Sequence, residues 1–156
     1  MTQRLDFMAV APDGLRALRG VQEHVNKNGL EHSLLELVKI RASQINGCSL
    51  CLAMHTRDAR RQGETDERML MLSAWHESAL YSERERAALA WTESVTRVAE
   101  THVPDEVYAE ASRHFSPKEL AELTLAITVI NSWNRLMVAF RTPPEVLDAR
   151  PIAKAS

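Results

Sequence analysis

The chain has 156 residues, of which 45% are apolar and 26% are charged, and its formal net charge is −2. This length and composition fit one domain with a core of its own, and a near-neutral charge without a basic block argues against nucleic-acid binding. No apolar run approaches the roughly 20 residues that span a bilayer, so we expect no membrane partner. The N-terminal residues lack the apolar stretch of a signal peptide, and we therefore expect a cytoplasmic protein.

Apolar periodicity predicts four helices in the first half of the chain. The first ends at Asn28-Gly29, and the second begins with the capping pattern Ser33-x-x-Glu36 and ends near Asn46. The third covers about 48–62, with a glycine cap at 63, and a short fourth covers 66–75. The apolar positions that define the first two helices are Leu15, Leu18, Val21 and Val25, then Leu34, Leu37, Val38 and Ile45.

The second half predicts three more helices, each with a recognisable start. Ser82-x-x-Glu85 opens a long helix, Pro104 precedes a short helix over about 105–114, and Ser116-Pro-Lys-Glu opens a helix that extends to about residue 140. Pro143-Pro144 ends this last helix, and we expect residues 145–156 to form a loosely ordered tail. With about seven helices and no convincing strand, the sequence predicts a single all-α domain over residues 1–156.

The last predicted helix is apolar on more than one face, so it is either central in the domain or partly buried by a second subunit. Buried polar groups need partners, and the polar interruption of this helix predicts a hydrogen-bond cluster or a subunit contact. The interruption comprises Asn131, Trp133, Asn134 and Arg135. Elsewhere, we interpret Arg41 and Arg57 as solvated charges and His76 as a surface or structural residue.

Both cysteines lie in the stretch NGCSLCLAMH, residues 46–55. In a helix, Cys48, Cys51 and His55 are separated by three and four positions and therefore share one face. Cys48 falls at the helix start, where amide groups and the helix dipole stabilise a thiolate. His55 can take a proton from Cys51, and a second thiol one turn away can turn an oxidised sulfur into a disulfide. The spacing favours a dithiol that cycles between reduced and oxidised states.

Two other interpretations of the cysteines stay open. A structural zinc site normally has four ligands, whereas this stretch supplies three and the chain has no second Cys-x-x-Cys. The cysteines can also simply fill space, since free cysteine is often buried. Covalent haem attachment is excluded because Leu52, not histidine, follows the second cysteine. A thioredoxin fold places its Cys-x-x-Cys between a strand and a helix, whereas the segments on both sides of this one are predicted to be helical, so that fold is disfavoured.

The stretch Glu36-Leu-Val-Lys-Ile-Arg-Ala-Ser-Gln-Ile-Asn-Gly-Cys48-Ser-Leu-Cys51-Leu-Ala-Met-His55 resembles the core signature of the alkylhydroperoxidase D-like (AhpD-like) family, part of the carboxymuconolactone decarboxylase superfamily. That signature is a glutamate, eleven intervening residues and then Cys-x-x-Cys-x-x-x-His. The segments SERERAALAWTESVT and NSWNRL resemble further family stretches, so the likeness covers roughly residues 20–140. The resemblance implies an all-α fold that assembles into trimers or hexamers, with a peroxidase-like activity.

The resemblance also implies a role for each residue of the signature. Cys51 is implied to be the peroxidatic thiol that attacks the O–O bond, and Cys48 is implied to be the resolving thiol. His55 is implied to assist proton transfer at Cys51, with Glu36 as the distal general base of the relay. Some family members carry a second histidine between the cysteines, where this chain has Leu50. We therefore expect a shorter relay, a water, or another side chain in its place.

Spacing and family pattern give different functions for Glu36. By spacing alone, Glu36 is the last residue of Ser33-x-x-Glu36 and caps its own helix. By the family pattern it is catalytic, and the two roles are compatible only if the helix begins elsewhere than at Ser33. We expect the catalytic role.

We expect an oxidoreductase that reduces a small hydroperoxide through a dithiol–disulfide cycle and is regenerated by a reductant that the sequence does not identify. No metal or organic cofactor is expected, and the assembly is expected to be a homo-trimer or homo-hexamer. Two alternatives stay open. One is a lactone decarboxylase of the same superfamily, which does not depend on the cysteine pair. The other is a non-enzymatic subunit whose cysteines only sense redox state.

Overall fold

The computed structural model describes residues 2–144, which are helical and contain no β-strand. The predicted all-α single domain is confirmed, while the predicted tail at 145–156 lies outside the described residues. Nine α-helices and one 3-10 helix occur within this range. They are α1 Phe7–Val10, α2 Pro12–Val25, α3 His32–Asn46, α4 Ser49–Arg61, α5 Asp66–Met71, the 3-10 helix Leu72–Glu77, α6 Glu83–Thr96, α7 Val98–Thr101, α8 Asp105–His114 and α9 Pro117–Phe140.

The two strongest start signals are confirmed. Ser82 and Ser116 each accept the backbone N–H of a glutamate three residues on, and that glutamate side chain accepts the serine's own N–H. Such reciprocal bonds satisfy donors that a helix start leaves unpaired. The single helix predicted over 66–75 is instead two elements, because α5 ends at Met71 and the 3-10 helix begins at Leu72. The single-turn helices α1 and α7 carry too few apolar repeats to be predicted from periodicity.

The start of α3 was predicted wrongly. The helix begins at His32 with Glu31 as its N-cap residue, so Ser33 already lies inside it and makes no capping bond. Glu36 therefore does not cap the helix. Its carboxylate is free to point from α3 towards α4.

A sharp turn joins α3 to α4 and places the cysteines. Gly47 adopts a left-handed conformation with φ 65°, which glycine reaches without steric cost. Cys48 follows in an extended conformation as the N-cap residue of α4, and its sulfur lies 3.4 Å from the backbone nitrogen of Cys51, which donates to it. Cys48 therefore lies at the helix start, as expected, and Cys51 lies in the first turn.

Helix α9 is the centre of the domain and packs against α2, α3, α4, α6 and α8. By length and composition alone α9 could cross a membrane, but the core helix of a globular domain meets the same criteria. Along its first half, Leu123 and Ile127 are fully buried against Leu35 and Val38 of α3. Further along, Ile130 and the partly buried Trp133 belong to a second apolar cluster that includes both cysteines.

The polar interruption of α9 forms a hydrogen-bond cluster, which confirms that interpretation of the sequence. Asn46 Nδ2 donates to Asn131 Oδ1 at 2.8 Å and to Asn134 Oδ1 at 2.9 Å. Asn134 Nδ2 donates to Ser43 Oγ at 3.0 Å, and Asn131 Nδ2 donates to Thr96 Oγ1 at 3.0 Å. The bonds of Ser43 and Asn46 tie the end of α3 to α9 immediately before the turn that carries Cys48, and the bond to Thr96 ties α6 to α9.

Replacing Asn134 with alanine should lower the free energy of unfolding by about 1–3 kcal/mol, because a fully buried amide and its bonds to Ser43 and Asn46 are lost together. Urea unfolding followed by circular dichroism measures the change. Ser132→Ala is the matched control on the same helix, since the Ser132 hydroxyl bonds only the Thr128 carbonyl one turn earlier. We expect the control to stay within about 0.5 kcal/mol of the parent. Equal effects of the two substitutions would contradict a structural role for the cluster.

Candidate active site

The two cysteines are joined to each other. Cys48 and Cys51 form a disulfide across the first turn of α4, with their Cα atoms 5.4 Å apart. Both are almost completely buried, at 1% and 2% exposure. The expected adjacency of the two sulfurs is therefore observed, and the pair occupies an apolar cluster with Phe7, Leu50 and Met137.

His55 lies one helical turn beyond Cys51 on α4 and is also buried. Its Nδ1 is 2.8 Å from Oε2 of Glu36 on α3. Because an ionised carboxylate can only accept, Nδ1 carries the proton of this hydrogen bond. In the neutral ring Nε2 is then the basic nitrogen, so the carboxylate selects the tautomer that can accept a proton from elsewhere.

Glu36 has a second partner that the sequence analysis did not identify. Lys39 Nζ donates to Glu36 Oε1 at 2.8 Å, and both residues are about 94% buried. Burial disfavours the charged carboxylate, but the hydrogen bond from His55 and the positive charge of Lys39 outweigh it, and the pKa of Glu36 lies below its ordinary 4.5. The signal for this pair was the i,i+3 spacing of Glu36 and Lys39 within an otherwise apolar run.

A buried leucine occupies the position where some family members carry a second histidine. Leu50 is 5% exposed and packs in the same apolar cluster as the cysteines. Glu36 contacts His55 directly, so no side chain lies between them. His76 stacks on Trp75 with its side chain 62% exposed, which confirms its interpretation as a surface residue.

Arg41 is not the solvated charge that was expected. Its side chain is 12% exposed, and its Nε donates to Glu93 Oε1 at 2.7 Å. The same oxygen accepts the indole N–H of Trp75 at 2.9 Å. Burial raises the pKa of the Glu93 carboxyl, but the hydrogen bonds from Trp75 and Arg41 outweigh burial, so this pKa lies below its ordinary value. The Arg41–Glu93 ion pair joins α3 to α6. Arg57 is exposed, as expected.

A cavity of about 860 Å³ reaches the disulfide from one side. The turn at residues 47–50 and the end of α9 form its walls, and Cys48 is part of the lining. Cys51, His55 and Glu36 are not part of it. Within residues 2–144 no cluster of three or more histidine, cysteine, aspartate or glutamate side chains is placed to hold a metal ion.

The depressed pKa of Glu36 predicts an acid-dependent loss of stability. The ionised carboxylate stabilises the fold fully above the unfolded-state pKa of about 4.5, and this contribution is lost as pH falls through the lower folded-state pKa. Urea unfolding at a series of pH values from 6 to 3 should therefore show the parent more stable than Glu36→Gln near neutrality, with the difference shrinking below about pH 4.5.

Glu23→Gln provides the matched control for this series, because Glu23 is exposed on α2. Its free energy of unfolding should follow that of the parent across the same pH range. A difference between the parent and Glu36→Gln that is constant with pH would contradict an ionised, pair-stabilised Glu36.

Comparison with known proteins shows the family to which the chain is similar. The profile of the carboxymuconolactone decarboxylase family matches residues 12–94. The chain is 40% identical to the uncharacterised protein YdfG of Bacillus subtilis over 139 residues, which cover 89% of this chain and 95% of YdfG. It is 26% identical to the uncharacterised protein YnjA of Escherichia coli over 121 residues, or 78% of this chain and 66% of YnjA.

Solved structures share the fold. A protein of unknown function from Agrobacterium tumefaciens, provisionally assigned as the antioxidant defence protein AhpD, superposes with a TM-score of 0.89 at 37% identity, covering 97% of this chain and 99% of that one. The debrominase Bmp8 shares the fold at 23% identity and a TM-score of 0.78, over 87% of this chain and 73% of its own. The chain therefore belongs to the carboxymuconolactone decarboxylase family and is one of its AhpD-like members.

Proposed function

We propose that this protein is a thiol-dependent peroxidase that reduces hydroperoxides with Cys51 and Cys48 and uses His55 and Glu36 as a proton relay. The observation that carries the proposal is a buried disulfide one helical turn from a histidine whose ring is held by a buried carboxylate. The likeness to a provisionally assigned antioxidant protein, at 37% identity over nearly the whole chain, supports the same reaction class.

The first step oxidises Cys51. Nε2 of His55 accepts the thiol proton, and the thiolate attacks one oxygen of the O–O bond. That bond breaks as the new S–O bond forms, which leaves Cys51 as a sulfenic acid. The proton held by His55 passes to the departing alkoxide, and an alcohol is released.

The second step closes the disulfide. Cys48 lies at the N-terminus of α4, where the amide groups and the positive end of the helix dipole favour its thiolate. The thiolate attacks the sulfur of the Cys51 sulfenic acid, the S–O bond breaks, and hydroxide leaves as water after taking up a proton. The product is the disulfide of this structure, and two electrons from an external reductant restore the thiols.

Glu36 and Lys39 act on this chemistry through His55. A carboxylate that stays ionised stabilises the imidazolium formed in the first step and holds the ring in one orientation. Lys39 lowers the pKa of Glu36 further, which keeps the carboxylate charged in a buried position. We assign Glu36 as a general base acting through the imidazole, and Lys39 as a positioning residue.

Homo-oligomerisation belongs to the same proposal. In the most apolar 18-residue window of α9, only 39% is buried within the single chain. A second copy that covers part of this helix would remove apolar surface from water, which favours association. We propose a homo-trimer or homo-hexamer, the assemblies that the resemblance to the AhpD-like family implies.

Thiol titration tests the peroxidase proposal. The reduced protein, freed of reductant, should lose both of its thiols on addition of one equivalent of cumene hydroperoxide. Cys48→Ser should instead accumulate a sulfenic acid at Cys51 that dimedone labels, because no resolving thiol is present. A thiol-reactive chromophore and mass spectrometry measure these outcomes.

Cys51→Ser is the matched control, since it also retains one thiol. It should lose little thiol and take up little dimedone over the same period. Dimedone labelling confined to Cys51→Ser would reverse the two roles, and the absence of thiol loss in the parent would contradict the peroxidase proposal.

A further inference from the structure

The cavity beside the disulfide has the volume and the lining of a site for a small organic molecule. Its volume of about 860 Å³ lies within the range of small-molecule sites. Part of its wall is apolar and suits a short carbon chain. That part comprises Leu50, Met137, Val138, Pro143 and Pro144.

The described residues that line the cavity carry positive charge only. Among residues 2–144, Arg4 and Arg141 are the charged residues of its lining, and none of the lining residues is acidic. Arg4 is held over the end of α9, where its backbone N–H donates to Phe140 O at 2.9 Å and its guanidinium donates to Ala139 O at 3.1 Å. Two cations at the mouth of a cavity raise the local concentration of anions. The cavity therefore suits an anionic ligand.

Thr142, which also lines the cavity, carries a buried hydroxyl that is unpaired among the described residues. Thr142 is 6% exposed, and its Oγ1 makes no hydrogen bond within residues 2–144. Buried polar groups are nearly always paired, and leaving one unpaired costs free energy. A ligand oxygen that reached this hydroxyl from the cavity would supply the missing acceptor. This observation is independent of the arginines and also indicates a ligand with oxygen acceptors.

The cavity is lined by one cysteine of the disulfide and not by the other. Cys48 belongs to the lining, whereas Cys51 does not and lies one helical turn from His55 on α4. A nucleophile in the cavity therefore meets Cys48 first. Attack there breaks the disulfide and expels Cys51 as the leaving thiolate.

We infer that this cavity binds the reductant of the disulfide, a small thiol that carries a carboxylate, and that its thiolate attacks Cys48. The arginines and the Thr142 hydroxyl bind the carboxylate, and the apolar wall holds the carbon chain. The inference rests on the proposed dithiol cycle, whose oxidised state is the reactant. It names the electron donor that the cycle requires.

Complete reduction of the disulfide consumes two molecules of the small thiol. The first thiolate forms a bond to Cys48 Sγ as the Cys48–Cys51 bond breaks, and that electron pair stays on Cys51, which takes a proton through His55. A second molecule of the thiol attacks the mixed disulfide and releases Cys48 as a thiolate, which is then protonated. Two thiols become one low-molecular-weight disulfide, and the protein gains two electrons and two protons.

Rates of disulfide reduction test the carboxylate preference. The oxidised protein is reduced with 3-mercaptopropionate or with the neutral 2-mercaptoethanol, and each rate constant is divided by the thiolate fraction. The parent should favour the anionic thiol at least about fivefold, a modest value for charge-assisted hydrogen bonds. Arg141→Gln, Arg4→Gln and Thr142→Val should each lower that ratio, and Thr142→Ser should restore it.

Arg16→Gln is the matched control, because it removes one exposed positive charge from α2, outside the cavity lining. Its ratio should equal that of the parent. A ratio near one in the parent, or equal losses in Arg16→Gln and Arg141→Gln, would overturn the inference. The assay contains no hydroperoxide, so its failure is distinguishable from a failure of the peroxidase proposal.

The site of attack is tested separately. The reaction with 3-mercaptopropionate is acid-quenched early, free thiols are alkylated, and fragment mass spectrometry locates the modifications. The mercaptopropionyl group should be on Cys48 and the alkyl group on Cys51. The reverse assignment would overturn the proposed route.

Discussion

The site depends on one buried carboxylate that stays ionised. Placing a charge inside a protein costs several kcal/mol unless partners compensate for it. Glu36 has two, since Lys39 binds one carboxylate oxygen and His55 binds the other, each at 2.8 Å. The same pair of bonds joins α3 to α4 and orients the imidazole. Stability of the fold and the protonation state of the site are therefore linked through a single side chain.

The backbone places the sulfurs relative to that carboxylate. Gly47 lets the chain reverse in one turn, so that α4 starts at once after α3 and Cys48 becomes its N-cap residue. The asparagine cluster holds the end of α3 against α9 just before this turn. Along α4, the positions of Cys48, Cys51 and His55 then follow from helical periodicity.

Local signals predicted much of this arrangement. Both capping boxes gave correct helix starts because Ser82 and Ser116 are each followed, three residues on, by a glutamate whose side chain accepts the serine's backbone N–H. Ser33-x-x-Glu36 has the same pattern but failed, because the carboxylate of Glu36 makes its bonds with Lys39 and with a histidine 19 residues away. The spacing of a capping pattern carries no information about such distant partners.

The parts that could not be predicted are those made by packing. Arg41 was interpreted as a solvated charge, yet its side chain is mostly buried against Glu93, 52 residues away along the chain, which only the packing of α3 and α6 reveals. The cavity combines Arg4, residues 47–50 and residues 137–144, which are distant in the chain. Its unpaired hydroxyl at Thr142 has no sequence signal at all. The family resemblance identified the two cysteines but not the cavity that Cys48 lines.

The central claim is that His55, held by Glu36, makes Cys51 a reactive thiolate. The most direct measurement is the pKa of the Cys51 thiol in Cys48→Ser, from thiolate absorbance or from the pH dependence of iodoacetamide alkylation. We predict a pKa below the ordinary value of about 8.5, and a rise of about one unit or more when His55→Gln is added. A Cys51 pKa that is ordinary and unchanged by His55→Gln would contradict the account.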